Sequence, residues 1–235
     1  MPKAIADLVS VEYPAWPELS ALLDSATNAT VVMPGDSFNG RQVLYRLQLS
    51  ARSMVGAIVL HCGAILVDHG WVKLLGSGEP GLPNVATASG FPVAPHDSAP
   101  DVPGMLVAVD VVGGQYVIDG GDLIGSPGEI CYWGPDKLGW TGIGAGHSAF
   151  LSWLLKGDLD AFYRYFRWPG WQAEVERLEP GQGVGFFPFP WSDHFDATSA
   201  YRRVVDLGEL FHLGDSMASQ IRDFRPPLPW PDHSW

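Results

Sequence analysis

The sequence contains little positive charge and few charged residues of either sign. Lysine and arginine total 14 against 26 aspartate and glutamate residues, so the formal net charge is −12, and charged residues make up only 17% of the 235 residues. A negative field of this size repels phosphate backbones and the anionic surfaces of membranes. The composition therefore predicts that neither nucleic acid nor a membrane is a partner.

Long apolar runs are also missing. The most apolar stretch, Met54–Val67, has 14 residues and is interrupted by two glycines, whereas a membrane-spanning helix needs about 18 residues. Residues Met1–Asp7 carry two charges before any apolar segment begins, so no export signal is predicted. The two cysteines, Cys62 and Cys131, are expected to be reduced and buried, and we predict a cytoplasmic protein.

Glycine and proline are abundant, with 28 and 20 residues, which predicts many loops and few long helices. No internal repeat or charge-rich linker divides the chain, so a single α+β domain is predicted over residues 1–235. Its regular core is expected to span about residues 15–180, followed by a less regular, aromatic C-terminal extension over 181–235. Residues 225–231 are proline-rich and typical of a polyproline-type tail.

Apolar spacing and turn residues locate the helices and strands of this core. Helices are predicted at Trp16–Asp24, Asn39–Leu49, Ser53–His61 and in the segment after Gly146. Strands are predicted at Thr30–Met33, Ile65–Val67, Trp71–Leu75 and Glu129–Trp133. The expected fold is a mostly antiparallel sheet around a central hairpin, with helices packed on one side.

The central hairpin consists of two β-rich runs, Met105–Val112 and Gln115–Asp119, separated by a Gly-Gly pair. A two-residue turn at these glycines is the interpretation that loop length favours. The pairs that follow from such a turn are Val112–Gln115, Val111–Tyr116, Asp110–Val117, Val109–Ile118 and Ala108–Asp119. This register makes Asp110 and Asp119 diagonal neighbours about 7 Å apart on the face away from the core.

An acidic surface beside tryptophans is the best candidate for function. Its candidate residues are Asp110, Asp119, Asp122, Glu129, Trp133 and Trp140. Paired carboxylates can divide acid and base roles or hold a hard cation, and flat rings can stack on a sugar. The alternative is a solvated sheet face whose aspartates bond to backbone amides in a turn, with the tryptophans in the core. No cofactor or metal ion is predicted.

Other chemical motifs are incomplete. Ser37 follows a strand in a Gly-Asp-Ser sequence typical of one esterase class, but no histidine has an aspartate three residues before it. The Gly142–Gly146 run has the wrong spacing for a dinucleotide loop and is expected to be a flexible connection. His61, Cys62 and His69 are too irregularly spaced for zinc. No catalytic residue is therefore predicted.

Several motifs recur together in an order typical of one bacterial family. These motifs are Gly63–Gly78, Val109–Asp110, Gly113–Tyr116, Asp119–Gly121 and Phe162–Trp171. On these motifs the chain resembles the uncharacterised family known as domain of unknown function 2625, over most of residues 15–190. The resemblance implies no activity, so it identifies no catalytic residue.

At the level of layout, the chain resembles the SUKH superfamily of cell-wall-regulator-like immunity proteins. The shared features are a helix ending before Gly63, a strand with Trp71, and a hairpin ending at Asp119–Gly121. This resemblance implies an acidic α+β domain that binds a partner protein, such as a toxin with a basic surface. Two hypotheses follow: a non-catalytic, immunity-type protein-binding module, or a small-molecule or carbohydrate-binding protein that could be a carboxylate-dependent hydrolase.

Overall fold

The computed structural model describes residues 1–94, 102–220 and Leu228. A seven-stranded antiparallel sheet forms its centre, and the strands lie side by side in chain order. These strands are β1 (Thr30–Pro34), β2 (Cys62–Val67), β3 (Val72–Leu75), β4 (Gly104–Asp110), β5 (Gln115–Asp119), β6 (Glu129–Gly134) and β7 (Gly139–Gly146). A separate two-stranded sheet consists of β8 (Gln182–Phe187) and β9 (Tyr201–Asp206). The predicted α+β class is confirmed. The proline-rich tail, apart from Leu228, lies outside the described residues.

Short helices connect and cover the strands. The helices are α1 (Ile5–Val9), α2 (Trp16–Asp24), α3 (Ser37–Leu47), α4 (Met54–His61), α5 (Val85–Ala88), α6 (His147–Lys156), α7 (Leu159–Tyr163), α8 (Trp171–Val175) and α9 (Leu207–Gln220). Local signals explain where several of them begin. Pro17 lies in the first turn of α2, and the Asp36 side chain accepts the Asn39 amide and caps α3. The four helices that we predicted are confirmed, with α3 displaced toward the N-terminus.

The central strands are buried almost throughout. Every residue of β3 is buried, and so is every residue of β4 except Met105. Because successive side chains of a strand point to opposite faces, this continuous burial means that both faces of the sheet centre are covered. Helices α4 and α6 contribute to that cover through contacts with β2 and β6.

The hairpin does not have the predicted register. The observed partners are Gly104–Asp119, Met105–Ile118, Leu106–Val117, Ala108–Tyr116 and Val109–Gln115, with an irregularity at Val107. The Asp110 carboxylate accepts the amides of Val112 (3.1 Å) and Gly114 (2.7 Å), so the turn is longer than two residues. Asp110 therefore lies at the turn end and Asp119 at the far end of the same strand pair, and the prediction that they are neighbours is wrong.

Two other segments are more regular than predicted. The Gly142–Gly146 run is not a flexible connection, because it forms most of β7 and pairs with β6. The C-terminal extension contains β8, β9 and the 14-residue helix α9, where an irregular region was expected. Glycines obscure the pattern there: a Cβ at Gly183 would lie 2.5 Å from the Val111 carbonyl oxygen, so only glycine allows this approach.

A buried glutamine anchors one residue near the C-terminus. Gln115 has no solvent-accessible surface; its amide nitrogen donates to the Leu228 carbonyl (2.9 Å) and its amide oxygen accepts the Leu228 N–H (2.8 Å). We expect Gln115→Leu to lower the free energy of unfolding by about 1–2 kcal/mol, because two hydrogen bonds are lost. Hydrogen exchange at the Leu228 amide should accelerate, and Gln172→Leu, at an exposed site, is the control. Unchanged exchange at Leu228 would contradict this role.

Candidate functional site

Asp110, the central residue of the predicted acidic surface, lies inside the protein. Its carboxylate accepts the Val112 and Gly114 amides through one oxygen. Through the other it accepts the hydroxyl groups of Tyr132 (2.8 Å) and Tyr163 (3.2 Å). Burial raises the pKa of Asp110 to about 6, although the hydrogen bonds that it accepts, the one from Gly114 most strongly, oppose the rise.

The same network contains a third tyrosine. The hydroxyl groups of Tyr116 and Tyr163 share a hydrogen bond, and the rings of Tyr116 and Tyr132 lie 4.6 Å apart. Burial raises the pKa of all three phenols well above the ordinary value, so they remain protonated hydrogen-bond donors. All four polar groups thus have internal partners in the core, and none of them lines the cavity beside the β8–β9 hairpin, the cavity where α4 and α6 begin, or the cavity at residues 77–84.

The remaining carboxylates of the predicted surface hold turns. Asp119 is buried and accepts the amides of Gly121 (2.6 Å), Leu123 (3.1 Å) and Gly125 (2.9 Å). Glu129 accepts the Ser126 amide at 2.8 Å, and Asp122 is exposed. The structure therefore does not bring the four carboxylates together on one face. No group of three or more potential metal ligands occurs within the described ranges.

The two predicted tryptophans lie together. Trp133 of β6 pairs with Trp140 of β7, and both pack in a small apolar cluster with Leu138 and Ala218. A Cβ at Gly214 of α9 would lie 2.6 Å from the Trp133 ring, so the absence of a side chain there lets α9 approach the indole. Trp133 is a core residue by burial, but it also borders the apolar cavity described next.

An aromatic groove lies between the β8–β9 hairpin, the first turns of α9 and the end of β6. Its volume is about 430 Å³, which lies in the range of ordinary ligand pockets. Residues that line it include Val112, Trp133, Pro135, Phe186, Phe187, Phe189, Trp191, Tyr201, Leu210 and Leu213. We call this feature the aromatic groove.

Apolar side chains continue from the aromatic groove onto the open surface. Phe187 and Tyr201, which line the groove, are 64% and 69% exposed. Inside the groove the rings of Phe189 and Trp191 stack at 4.6 Å, and at its rim Arg203 pairs with Glu209 at 3.2 Å. A contiguous exposed apolar area with a charged rim is typical of an interaction surface. Among the described residues that line the groove, Trp133 alone was predicted from the sequence as a site residue, and the aromatic density of residues 186–201 is the signal that could have found this surface.

A buried lysine connects the groove to the central sheet. Lys73 of β3 is 2% exposed, and its ammonium donates to the carbonyl oxygens of Glu179 (3.4 Å), Pro180 (2.8 Å) and Gln182. These carbonyls belong to the segment that leads into β8. Burial lowers the pKa of Lys73 to about 7, while the Asp110 charge opposes the change. Sequence reasoning missed this residue because a lysine on a strand is usually exposed.

The two longest family motifs meet in a charged cluster. Arg167 pairs with Asp68 in the β2–β3 turn and with Asp160, and its guanidinium lies 4.0 Å from the centre of the Trp171 ring. Asp68 and His69 both have positive φ angles, 57° and 60°, which a non-glycine residue adopts only where its surroundings hold it. The motif residues thus hold a strained turn against the α7–α8 region.

These features define an α+β protein with a buried polar network and an open aromatic groove. The chain belongs to the family described as protein of unknown function DUF2625, whose model matches residues 5–210. No solved structure gives a significant match. Within the described part of the chain, no helix has the length and apolar character that crossing a bilayer requires.

Two relatives share most of their length with this chain. YbfG of Escherichia coli (strain K12), described as uncharacterized, is 36% identical over 209 residues, which are 88% of this chain and 93% of the relative. An uncharacterized protein of Haemophilus influenzae is 33% identical over 186 residues, 79% of this chain and 82% of the relative. The similarity therefore identifies a family and no activity.

Proposed function

We propose that this protein is a non-catalytic, acidic protein-binding module that holds an apolar segment of a partner protein in its aromatic groove. The observation that carries the proposal is that Phe187 and Tyr201 line the groove and are also widely exposed on the surface beside it. An enclosed small-molecule site would not need apolar surface outside the pocket. Aromatic side chains are also the residues that contribute most to protein interfaces.

Charge supports a partner with a basic surface. The chain has a formal net charge of −12, and Asp206 and Asp215 are exposed on β9 and α9, the elements that border the groove. Such a field accelerates encounter with a positively charged partner and disfavours acidic ones. The proposed occupant is therefore an apolar or aromatic segment flanked by lysine or arginine.

The alternative, a carbohydrate-binding protein or hydrolase that uses the predicted carboxylates, lacks a matching cleft. Asp110 and Asp119 direct their oxygens to backbone amides, hydroxyl groups and a thiol inside the protein. A substrate would have to displace these internal bonds to reach them.

Peptide selection tests the groove directly. Random peptides of about 12 residues, displayed on phage, are selected on the full chain, and enriched sequences are measured by fluorescence anisotropy. We expect enrichment of two or more aromatic or large aliphatic residues next to basic ones. Tyr201→Asp should weaken binding by about tenfold or more, because it buries a charge in an apolar contact.

Tyr13→Asp is the matched control, since Tyr13 is 72% exposed and does not line the groove. Both variants change an exposed tyrosine, so neither is expected to unfold the protein. The proposal fails if no sequence is enriched, if the enriched sequences are acidic, or if the two variants weaken binding equally.

The proposed setting of this binding is the cytoplasm, and the proposed role is immunity to a toxin. If the protein has this role, its co-expression with a toxin encoded next to its own gene should protect a bacterial cell. Tyr201→Asp should abolish that protection, and Tyr13→Asp should retain it. Growth on toxin induction is the measurement. Equal protection by the two variants would contradict a role for the groove in immunity.

A further inference from the structure

A second cavity, of about 400 Å³, lies on a different part of the molecule, where helices α4 and α6 begin. Its apolar lining consists of Ala15, Leu49, Met54, Val55, Met105 and Ile118. Its polar lining consists of Glu18, Arg52, Ser53, His147 and Ser148. None of these residues borders the aromatic groove, so this cavity is independent of the proposed protein-binding surface.

Two opposite charges border this cavity without neutralising each other. Glu18 lies in the first turn of α2, and Arg52 lies just before α4. Within the described ranges, neither side chain takes part in an ion pair of 4.0 Å or less. Glu18 and Arg52 are therefore each available to a ligand that carries the complementary charge.

A buried polar atom lacks a partner at the same place. His147 is the first residue of α6, and its Nε2 atom is buried with no hydrogen-bond partner in the described structure. Burial lowers the pKa of His147 to about 4, so the ring is neutral near pH 7. An unsatisfied buried nitrogen destabilises the free protein, and a ligand that bonds to it would remove this cost.

The start of α6 adds further donors. Its N-cap is Gly146, which has no side chain to accept the amides of the first turn. Uncapped amides at the N-terminus of a helix attract negative groups, because they carry unpaired donors and the positive end of the helix dipole. The α6 end of the cavity and Arg52 therefore both favour a carboxylate, whereas Glu18 favours a cation.

We propose that this cavity binds a free α-amino acid with an apolar side chain. The α-carboxylate accepts hydrogen bonds from Arg52, from the first-turn amides of α6 and from the Nε2–H of His147. The α-ammonium donates to Glu18, and the side chain packs against Met54, Met105 and Ile118. A simple fatty acid would leave Glu18 next to a like charge, and an alkylamine would do the same at Arg52. Only a zwitterion with an apolar body matches both charges and the apolar lining.

Calorimetric titration of the full chain with L-leucine, L-methionine and L-phenylalanine tests this assignment. Two analogues of leucine separate the charges: 4-methylpentanoate lacks the ammonium and 3-methylbutylamine lacks the carboxylate. We expect saturable binding of at least one of the three amino acids. If leucine binds, each analogue should bind about tenfold more weakly or less, since one charged hydrogen bond contributes about 1.5–3 kcal/mol.

Variants assign the binding to this cavity. Arg52→Gln and Glu18→Gln should each weaken amino-acid binding by about tenfold. Arg41→Gln and Glu12→Gln are the controls, because both side chains are exposed and neither lines the cavity. His147→Phe should also weaken binding, and Tyr201→Asp should leave it unchanged.

The proposal is overturned if none of the three amino acids binds saturably. It is equally overturned if 4-methylpentanoate or 3-methylbutylamine binds as tightly as leucine, or if the control variants lose as much affinity as Arg52→Gln and Glu18→Gln. Because peptide binding in the aromatic groove is measured separately, failure here and failure there are distinguishable.

Discussion

Replacing Lys73 with methionine is expected to lower the free energy of unfolding by about 3 kcal/mol or more. Methionine fills a similar volume but has no hydrogen to donate, so the carbonyl oxygens of Glu179, Pro180 and Gln182 lose their shared donor. Water cannot replace it readily, because the lysine side chain is buried. Chemical denaturation measures the loss, and Lys156→Met, at an exposed position on α6, is the control.

The same substitution should change the pH dependence of stability. The folded state binds the Lys73 proton only below about pH 7, whereas the unfolded chain keeps it until about pH 10.4. The unfolded state therefore binds more protons between these values, and the wild-type protein should gain stability relative to Lys73→Met as the pH rises from 7 to 9. If the free energies of unfolding of the two proteins changed in parallel over this range, the result would contradict the buried environment of Lys73.

Asp110→Asn tests a second buried ionisable group. Its expected effect on the pH dependence of stability has the opposite sign to that of Lys73. The folded protein holds the Asp110 proton up to about pH 6, whereas the unfolded chain releases it near pH 3.9. The folded state therefore binds more protons between pH 4 and 6, so over this range wild-type stability should fall with rising pH by about 2 kcal/mol more than that of the asparagine variant. Denaturation curves at intervals across this range give the difference.

Asp24→Asn is the matched control, because Asp24 is an exposed aspartate at the end of α2. It should retain the wild-type pH dependence between pH 4 and 6. If Asp110→Asn has the same slope as Asp24→Asn and the wild-type protein, burial does not hold a proton on Asp110. If instead Asp110→Asn prevents folding, the milder Tyr132→Phe, which removes one donor, should still alter the slope.

Local signals were sufficient for most of the regular elements. Helix α4 follows Ser53, whose side chain accepts the Gly56 amide, and β2 and β3 surround a turn marked by Gly70. Such signals act within a few residues, so they can be recognised in the sequence. The α+β class and the antiparallel sheet followed from them, whereas the family was identified by the resemblance of several motifs.

The candidate site was harder to predict because it depends on contacts between distant segments. One side chain, Asp110, bonds to the turn amides and shifts the hairpin register, which moved a predicted surface residue into the core. The aromatic groove depends on glycines at which α9 and β8 approach their neighbours, and glycine in a sequence usually indicates a loop.

By itself the sequence determined the acidic character and the α+β class, because composition, capping and apolar spacing can be recognised without knowing which distant residues meet. The family was identified from the resemblance of its motifs. The tertiary structure alone decided which acids are exposed and which side chains meet. Its packing buried Asp110, Asp119 and Lys73 with internal partners and left Tyr201 and Phe187 in the open. Burial depends on contacts between residues that lie more than a hundred positions apart in the sequence, such as the hydrogen bond from Lys73 to the Gln182 carbonyl. No local sequence pattern indicates that these two residues meet.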